Sequence, residues 1–538
     1  MKKRRIMAAL LISVMTVSML NGCKKKEAAT GTVSQKAVTA TEGITDGEAK
    51  EPIKMEWLVN LGTPDVDDES EVMKNIRERF NMDVDVWYID SAKFNENLSI
   101  RFAAGEMPDV LRLEGANLRD YVEGGILHEL PIDMIREKAP NYAKTVDMYN
   151  DGTMWTTYMY NDKNYGLVQP LEQAPMAFVW NKVWLNNVGI TKTPETLEEV
   201  EIALKKFVEE DPDGNGKRDT AGMAERAMNG IFGAYGLRIT AGATPGFMVE
   251  DMQLDDNGVP FFPTIRPEAK EALAVLARWY QEGIIDKEFI TGENHGGYIW
   301  LSHSFINGKI GLTTAQPGHY LTYSADTSDV NNYGSCMKEL KALNPDADIV
   351  LGKGPVGPEG KSGTECWPRN GVPRGLTTKC FEDPAKVDAF FAFLDACYSD
   401  MDFVTMLDYG IEGVDYEKTE NGFVRLKEGE ELKKRGIMQL SFGTSIPFAE
   451  NVLKKQTEFT RNISGNSYFR FTPPAVPEYT SSIATLDTLT EKAYYAIITG
   501  KKPIDYFDEY VEEFKACGGE AAEKAVQDEY AKLKSLTE

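Results

Sequence analysis

The stretch IKMEWLV at residues 53–59 opens the run of elements that decides the fold of this chain. Its β-branched and aromatic residues predict a strand, and the alternating residues 82–88 predict a second strand. Residues 68–80 and 94–104 each have the apolar spacing of a helix, and the short run at 109–111 predicts a third strand. Strands that alternate with helices indicate a parallel sheet, so we predict an α/β fold.

Further along the chain, three segments combine a proline near a helix start with apolar residues on one helical face. Thr193-Pro194, Pro267 and Asp383-Pro384 precede these segments. Proline is favoured in the first helical turn, where its missing N–H is not needed. Helices of this kind outnumber clear strands in the second half of the sequence.

The N-terminal segment MKKRRIMAALLISVMTVSMLNGC, residues 1–23, has the composition of an export signal. Four basic residues precede an apolar run from Ile6 to Leu20, which is shorter than the roughly 20 residues that span a bilayer. Leu20-Asn21-Gly22-Cys23 resembles the lipobox of bacterial lipoproteins, which implies a signal peptide over 1–22 and a diacylated Cys23. The alternatives are a plain signal peptide cleaved nearby and a short membrane helix. The small, polar residues 23–52 predict a flexible linker.

Charge and length narrow the possible functions. The chain has 538 residues and a net charge of −25, which becomes −29 when the four basic residues of 1–22 are removed. This negative net charge argues against nucleic-acid binding and against electrostatic adhesion to anionic lipid. A mature chain of this length exceeds one hydrophobic core, so two domains are expected. The five cysteines after Cys23 have no CxxC pair and predict isolated, buried thiols.

Several short motifs together resemble family 1 of the bacterial extracellular solute-binding proteins, in particular the large lipoprotein subgroup of oligosaccharide and aldouronate binders. They are FAAGEMPDV (102–110), WNKVWL (180–185), FINGKI (305–310), YGIEG (409–413) and ITGKKP (498–503).

The resemblance implies a two-lobe, periplasmic-binding-protein-like fold of type II, with a mixed sheet flanked by helices in each lobe and a multi-strand hinge. We expect lobe 1 to contain 53–172 and 312–376, and lobe 2 to contain 173–311 and 377–538. The crossings are expected near 171–177, 311–316 and 372–382. Ligand would bind between the lobes, and hinge closure would prepare the protein for its permease.

Sugar sites combine aromatic faces with polar and charged side chains. The aromatic pattern and the resemblance give these candidate ligand-binding residues: Asn60, Asp109, Trp180, Asn181, Trp300, Trp367, Arg369, Tyr409 and Glu412. For each aromatic residue, packing in the core is an equally good explanation. The YGIEG motif, which contains Tyr409 and Glu412, also fits a helix-ending turn because glycine is a natural helix stop.

The loop DPDGNGKRD, residues 211–219, has the oxygen spacing of the front half of an EF-hand. Its candidate calcium ligands are Asp211, Asp213, Asn215, Lys217 through its carbonyl, and Asp219. Position twelve is Gly222, and Thr220 stands where relatives place an acidic residue, so the back half of the site is incomplete unless Glu225 contributes. A polar turn without a metal is the alternative. In either case the loop is expected to be structural.

The leading hypothesis is a non-enzymatic, monomeric receptor, lipid-anchored on the extracellular face of a Gram-positive cell membrane. It would bind an oligosaccharide or related polar solute and deliver it to the membrane subunits of an ABC importer. The alternatives are a secreted glycoside hydrolase or lyase, and a glycan-binding adhesin or sensor. No organic cofactor is expected.

Overall fold

A computed structural model describes residues 51–58, 66–89, 94–113, 117–148, 154–173, 175–241, 247–248, 252–292, 302–367, 371, 373–427, 429–442 and 445–537. The predicted signal peptide, Cys23 and nearly all of the predicted linker lie outside these ranges. Among the described residues, no helix is both long enough and apolar enough to cross a membrane.

The strands are, in chain order, β1 (Ile53–Leu58), β2 (Met82–Trp87), β3 (Val110–Arg112), β4 (Met159–Tyr160), β5 (Lys163–Asn164), β6 (Ala177–Asn181), β7 (Ala221–Met223), β8 (Thr240–Ala241), β9 (Phe247–Met248), β10 (Gln253–Leu254), β11 (Pro260–Phe261), β12 (Ile310–Ala315), β13 (Ile349–Gly352), β14 (Thr364–Cys366), β15 (Arg374–Leu376), β16 (Tyr416–Thr419), β17 (Gly422–Arg425) and β18 (Ser467–Phe469).

The α-helices are α1 (Glu71–Phe80), α2 (Phe94–Ala103), α3 (Leu118–Glu123), α4 (Ile132–Lys138), α5 (Pro140–Met148), α6 (Lys182–Asn187), α7 (Leu197–Glu209), α8 (Met228–Gly233), α9 (Pro267–Gln281), α10 (Phe289–Gly292), α11 (His303–Ile306), α12 (Ser335–Leu343), α13 (Pro384–Ser399), α14 (Met401–Tyr409), α15 (Gly429–Lys434), α16 (Ile446–Asn451), α17 (Lys454–Ser464), α18 (Pro477–Ile498), α19 (Tyr506–Phe514) and α20 (Glu520–Thr537).

Lobe 1 is built on the sheet β15-β3-β1-β2. β1 lies parallel to β2 and to β3, as the sequence predicts, while β15 joins the edge antiparallel to β3. Trp57 of β1 is fully buried, and its ring lies 5.4 Å from Phe390 and 5.2 Å from Phe393 of α13. This helix begins where Asp383 accepts a hydrogen bond from the Ala385 N–H. The core of lobe 1 therefore joins the first strands to a helix more than 300 residues later.

Lobe 2 is built on a second mixed sheet, β13-β6-β12-β7. β12 is buried along its whole length and lies between β6, which is antiparallel to it, and β7, which is parallel. Trp180 of β6 packs 6.2 Å from the rings of both Phe178 and Phe207. Helices α18–α20 close the same core with buried residues that include Tyr494 and Tyr510.

Two separate hydrophobic cores define which parts of the chain form each lobe. Residues 55–168 and 376–442 supply the core of lobe 1, and residues 178–349 and 471–530 supply the core of lobe 2. The chain therefore passes between the lobes at 169–176, 367–373 and 443–470. The last crossing contains α16 and α17 and shares a small apolar cluster of Val404, Phe448 and Leu453 with α14.

This grouping differs from the expected one in the middle of the chain. The segment 312–366 belongs with lobe 2, because β12 is hydrogen-bonded on both sides within that sheet, so the expected crossing at 311–316 is wrong. The segment 377–442 belongs with lobe 1, because α13 packs on β1. The expected crossing at 171–177 nearly coincides with the observed crossing at 169–176. The expected crossing at 372–382 begins at the end of the observed crossing at 367–373.

Candidate functional site: a pocket between the lobes

A pocket of about 510 Å³ lies where lobe 1, lobe 2 and the third crossing meet. We call it the interlobe pocket. Lobe 2 supplies the loop and helix residues 318–338, lobe 1 supplies the end of α14 and the hairpin β16–β17, and the third crossing supplies α16 and α17. Its lining consists of Glu172, Gly318, Thr322, Tyr323, Val330, Asn331, Tyr333, Lys338, Tyr409, Thr419, Asn421, Gly422, Phe423, Val424, Arg425, Ala449, Leu453, Gln456, Thr457 and Thr460.

The lobe 1 wall of this pocket is aromatic. Tyr409, the last residue of α14, is half-buried, and its ring lies 4.4 Å from that of Phe423. The Arg425 guanidinium lies 5.1 Å from the Tyr409 ring centroid and donates a hydrogen bond of 3.2 Å to the Asp408 carbonyl. Burial, and secondarily the nearby Asp408 carboxylate, raise the pKa of Tyr409 to about 12, so its hydroxyl remains a donor at neutral pH. The wall thus offers flat carbon faces beside a cation.

The lobe 2 wall centres on Tyr323. Its hydroxyl donates a 2.5 Å hydrogen bond to Asp329, and burial together with that carboxylate raises the pKa of Tyr323 to about 12. Asn332 is fully buried and fixes this loop, because its amide donates to the carbonyls of Ser324 and Asp326 and its oxygen accepts the Tyr323 N–H. The loop is therefore held in one shape before any ligand arrives.

The two walls touch through Tyr323, Asn421 and Lys455. Lys455 of α17 hydrogen-bonds the Asn421 side-chain oxygen at the tip of the β16–β17 hairpin. Its ammonium also lies 5.5 Å from the Tyr323 ring centroid, a cation–π geometry. The interlobe pocket is therefore bounded by residues from both lobes and from the crossing between them.

The only carboxylate in the described lining of the pocket is Glu172, in the first crossing. It accepts two hydrogen bonds, of 2.7 and 2.8 Å, from Arg461 of α17. Arg461 also contacts Glu450 at 3.3 Å. Since Glu172 is already paired, the charged groups left to meet a ligand in the pocket are the cations Lys338 and Arg425.

The predicted ligand residues fall into different environments, and among those that the structure describes only Tyr409 lines the pocket. Glu412 is exposed in the turn after α14 and is not part of the lining. Trp367 is half-buried at the start of the second crossing. Asn60, Trp300 and Arg369 lie outside the described residues.

Three of the predicted ligand residues have structural roles instead. Asp109 is fully buried, and its carboxylate accepts hydrogen bonds from Lys386 at 2.8 and 2.9 Å and from the Glu56 N–H at 2.8 Å, so it presents no surface to a ligand. Trp180 is fully buried in the core of lobe 2. Asn181 caps α6 by accepting the Trp184 N–H at 3.1 Å. Core and capping positions carry the same residue types as sugar sites, so the sequence pattern does not distinguish these roles.

Most of the pocket was not predicted from the sequence, and Tyr323, Tyr333, Phe423, Arg425 and Lys338 are the main residues missed. The Asn421-Gly422 dipeptide was an available signal, since Asn-Gly between short alternating runs indicates a hairpin. The loop around Tyr323 carries no such signal, because its shape depends on the buried Asn332.

The loop at 211–219 gathers its oxygen groups without a complete ligand set. Asp211 accepts the N–H groups of Asn215 and Gly216, and the Asn215 amide donates to Asp213 and Asp219. Burial, with the neighbouring Asp211 carboxylate, raises the pKa of Asp213.

The back half of this loop supplies no ligand. Gly222 lies within β7, and Glu225 is buried and accepts a 2.5 Å hydrogen bond from Tyr495. Among the described residues, no group of three or more His, Cys, Asp and Glu side chains is arranged to hold a metal ion.

The structure thus has two lobes of mixed α/β structure, joined by three crossings, with a pocket between them. Residues 63–300 match the family model of the bacterial extracellular solute-binding proteins. Over these residues the chain is similar to this family.

Among its relatives, lipoprotein LipO of Bacillus subtilis (strain 168) is 26% identical over 84% of this chain and 87% of its own length. The polygalacturonan/rhamnogalacturonan-binding protein YtcQ of the same organism is 24% identical over 89% and 91%. The crystal structure of the alginate-binding protein AlgQ2 without calcium ion superposes with a TM-score of 0.62 at 16% identity, covering 90% of this chain and 99% of AlgQ2. This last likeness confirms the predicted two-lobe fold.

Proposed function

We propose that this chain is the substrate-binding protein of an ABC importer and that it takes up an oligosaccharide in the interlobe pocket. The observation that carries the proposal is the pocket itself, in which Tyr409 and Phe423 of lobe 1 face Tyr323 of lobe 2 among amide, hydroxyl and cationic groups. Aromatic rings pack on the C–H faces of sugars, and the polar groups bind hydroxyls. The names of YtcQ and AlgQ2 also point to carbohydrate ligands.

The enzyme alternative requires two carboxyl groups facing each other at about 5–10 Å across the site. In the described part of the pocket lining, Glu172 is the only carboxylate, and it accepts a hydrogen bond from Arg461. Binding without turnover therefore accounts for the described residues better than hydrolysis does. Release of reducing ends from an oligosaccharide mixture would contradict the proposal.

A thermal-shift screen against oligogalacturonides, alginate oligomers, neutral oligosaccharides and peptides tests the ligand class. A ligand at a hundredfold excess over Kd adds about 2.7 kcal/mol to the free energy of unfolding, which is a clear shift in Tm. Tyr409→Ala should abolish the shift given by the best sugar. Tyr506→Ala is the matched control, because Tyr506 is also a half-buried tyrosine with a cation, Lys502, 4.4 Å from its ring centroid. A shift that survives Tyr409→Ala, or that only peptides give, refutes the proposal.

We also propose that Cys23 carries the lipid that holds the protein on the extracellular face of the membrane, where it acts as a monomer with the importer's permease. The motif Leu20-Asn21-Gly22-Cys23 supports this. Radiolabelled palmitate should enter the wild-type chain and not Cys23→Ala. Recovery of both chains from the membrane fraction with equal label would contradict the anchor.

The final part of the proposal concerns the loop at 211–219, which would bind one structural calcium ion through Asp211, Asp213, Asn215, the Lys217 carbonyl and Asp219. Burial is the main cause of the raised pKa of Asp213, and the neighbouring Asp211 and Asp219 carboxylates, which raise it further, would also attract a cation. Calcium should raise Tm, and Asp211→Asn should remove that response. Asp255→Asn is the control, because Asp255 accepts backbone N–H groups in a similar exposed turn. Equal responses in both variants would contradict a site in this loop.

A further inference from the structure

An ion pair outside the three crossings connects lobe 1 to lobe 2. Asp162 lies at the tip of the β4–β5 hairpin of lobe 1, and Lys532 lies near the end of α20 in lobe 2. The two residues are 370 positions apart in sequence and their side chains are in direct contact. We propose that this pair is a latch that holds the two lobes in the arrangement described here.

The lobe 1 side of the latch is rigid. Asn161 and Asp162 both have positive φ angles, of 50° and 64°, which match the two central residues of a tight hairpin turn. Lys163 pairs with Glu129 at 2.6 Å, and Asn164 exchanges hydrogen bonds with the Leu130 backbone. The Asp162 carboxylate is therefore held out from the lobe by a fixed turn rather than by a loose loop.

The lobe 2 side is equally well fixed. α20 packs into the lobe 2 core through Val526, Tyr530 and Leu533, and the Tyr530 ring lies 4.9 Å from Phe471. Lys532 projects from this helix and also approaches Glu529 at 3.5 Å. The pairing with Asp162 raises the pKa of Lys532, which therefore stays charged at neutral pH. A rotation of the lobes that moves the β4–β5 hairpin away from α20 must separate these two charges.

The exposure of the pair makes it a weak latch, as a reversible device requires. Both side chains are 48% exposed, so water and salt screen their attraction. An exposed ion pair shifts an equilibrium by about 1.4- to 5-fold. Loss of the pair should therefore lower the ratio of this lobe arrangement to other arrangements by about that factor without unfolding either lobe.

Energy transfer between dyes on the two lobes measures this ratio without any ligand. The full chain carrying Cys23→Ser is labelled at Cys517 of lobe 2, which is exposed, and at a cysteine introduced by Lys144→Cys on the exposed face of α5 in lobe 1. The other four described cysteines are buried. Asp162→Asn and Lys532→Gln are compared with the charge exchange Asp162→Lys plus Lys532→Asp.

The matched control is Lys524→Gln. It breaks an ion pair of 2.9 Å with Asp528 that lies on the same helix but within lobe 2. The latch predicts a changed transfer, in the same direction, in both single variants, recovery in the charge exchange, no change in the control, and loss of the difference in 1 M salt. Unchanged transfer in the single variants, an equal change in the control, or no recovery in the exchange would overturn it. Because no ligand is used, these outcomes are independent of the ligand proposal.

Discussion

Asp408 gives the sharpest stability prediction, because it is an acid buried directly beneath the interlobe pocket. It precedes Tyr409 at the end of α14, and its carboxylate accepts a hydrogen bond from the Ser441 hydroxyl. Burial raises the pKa of Asp408 from 3.8 to about 6, against smaller lowering effects of Ser441 and Arg425. The folded protein therefore holds this proton more tightly than the unfolded chain does.

The sign and size of the effect follow from proton linkage. Between pH 4 and 6 the folded state binds more protons at Asp408 than the unfolded state, so the free energy of unfolding falls as pH rises through this range. A shift of about two pKa units corresponds to about 3 kcal/mol. Asp408→Asn removes the titration while keeping the size and the Ser441 contact. The variant should gain up to about 3 kcal/mol relative to wild type between pH 4 and pH 7.5.

Urea unfolding of both proteins at several pH values gives this difference directly, because every other titrating group is common to both. The control is Asp346→Asn, at an aspartate that is exposed to solvent. Its stability difference from wild type should not vary with pH by more than a few tenths of a kcal/mol. A difference for Asp408→Asn that is flat from pH 4 to pH 7.5, or that grows towards low pH, would refute the reasoning.

Three further substitutions test the structural roles assigned above. Lys386→Met should cost about 3–5 kcal/mol in urea unfolding, because it leaves the fully buried Asp109 carboxylate without its cation, and Asp109→Asn in that background should restore part of the loss. Glu172→Gln should cost only about 1 kcal/mol or less by the same assay, since Arg461 is 47% exposed, and a loss as large as that of Lys386→Met would contradict this ranking. Trp180→Ala should cost about 3–5 kcal/mol by leaving a cavity in lobe 2, and a sugar Kd that rises at unchanged stability would instead make Trp180 a ligand residue.

The sequence predicted local elements well and long-range grouping poorly. The order β1, α1, β2, α2, β3 follows from patterns within a few residues, and Asp383-Pro384 places the start of α13 correctly. Whether β12 or α13 belongs to lobe 1 or lobe 2 depends on pairings between residues more than 100 positions apart, such as Leu312 with Trp180. No local sequence pattern encodes these pairings. The same limit applies to the site: Tyr409 was identified within a motif, whereas Tyr323 reaches the pocket only through a loop folded around Asn332.

The three crossings meet in one region, and this constrains how the lobes can move. Leu167, just before the first crossing, and Arg374, just after the second, exchange backbone hydrogen bonds of 2.7 and 3.1 Å. Arg374 also donates to the Ser441 carbonyl at 2.6 Å, where the third crossing begins. When one lobe rotates about this hydrogen-bonded region, atoms close to the region move least and contacts far from it move most. If ligand in the interlobe pocket and the Asp162–Lys532 pair both favour the same arrangement of the lobes, their effects on that equilibrium should add in free energy.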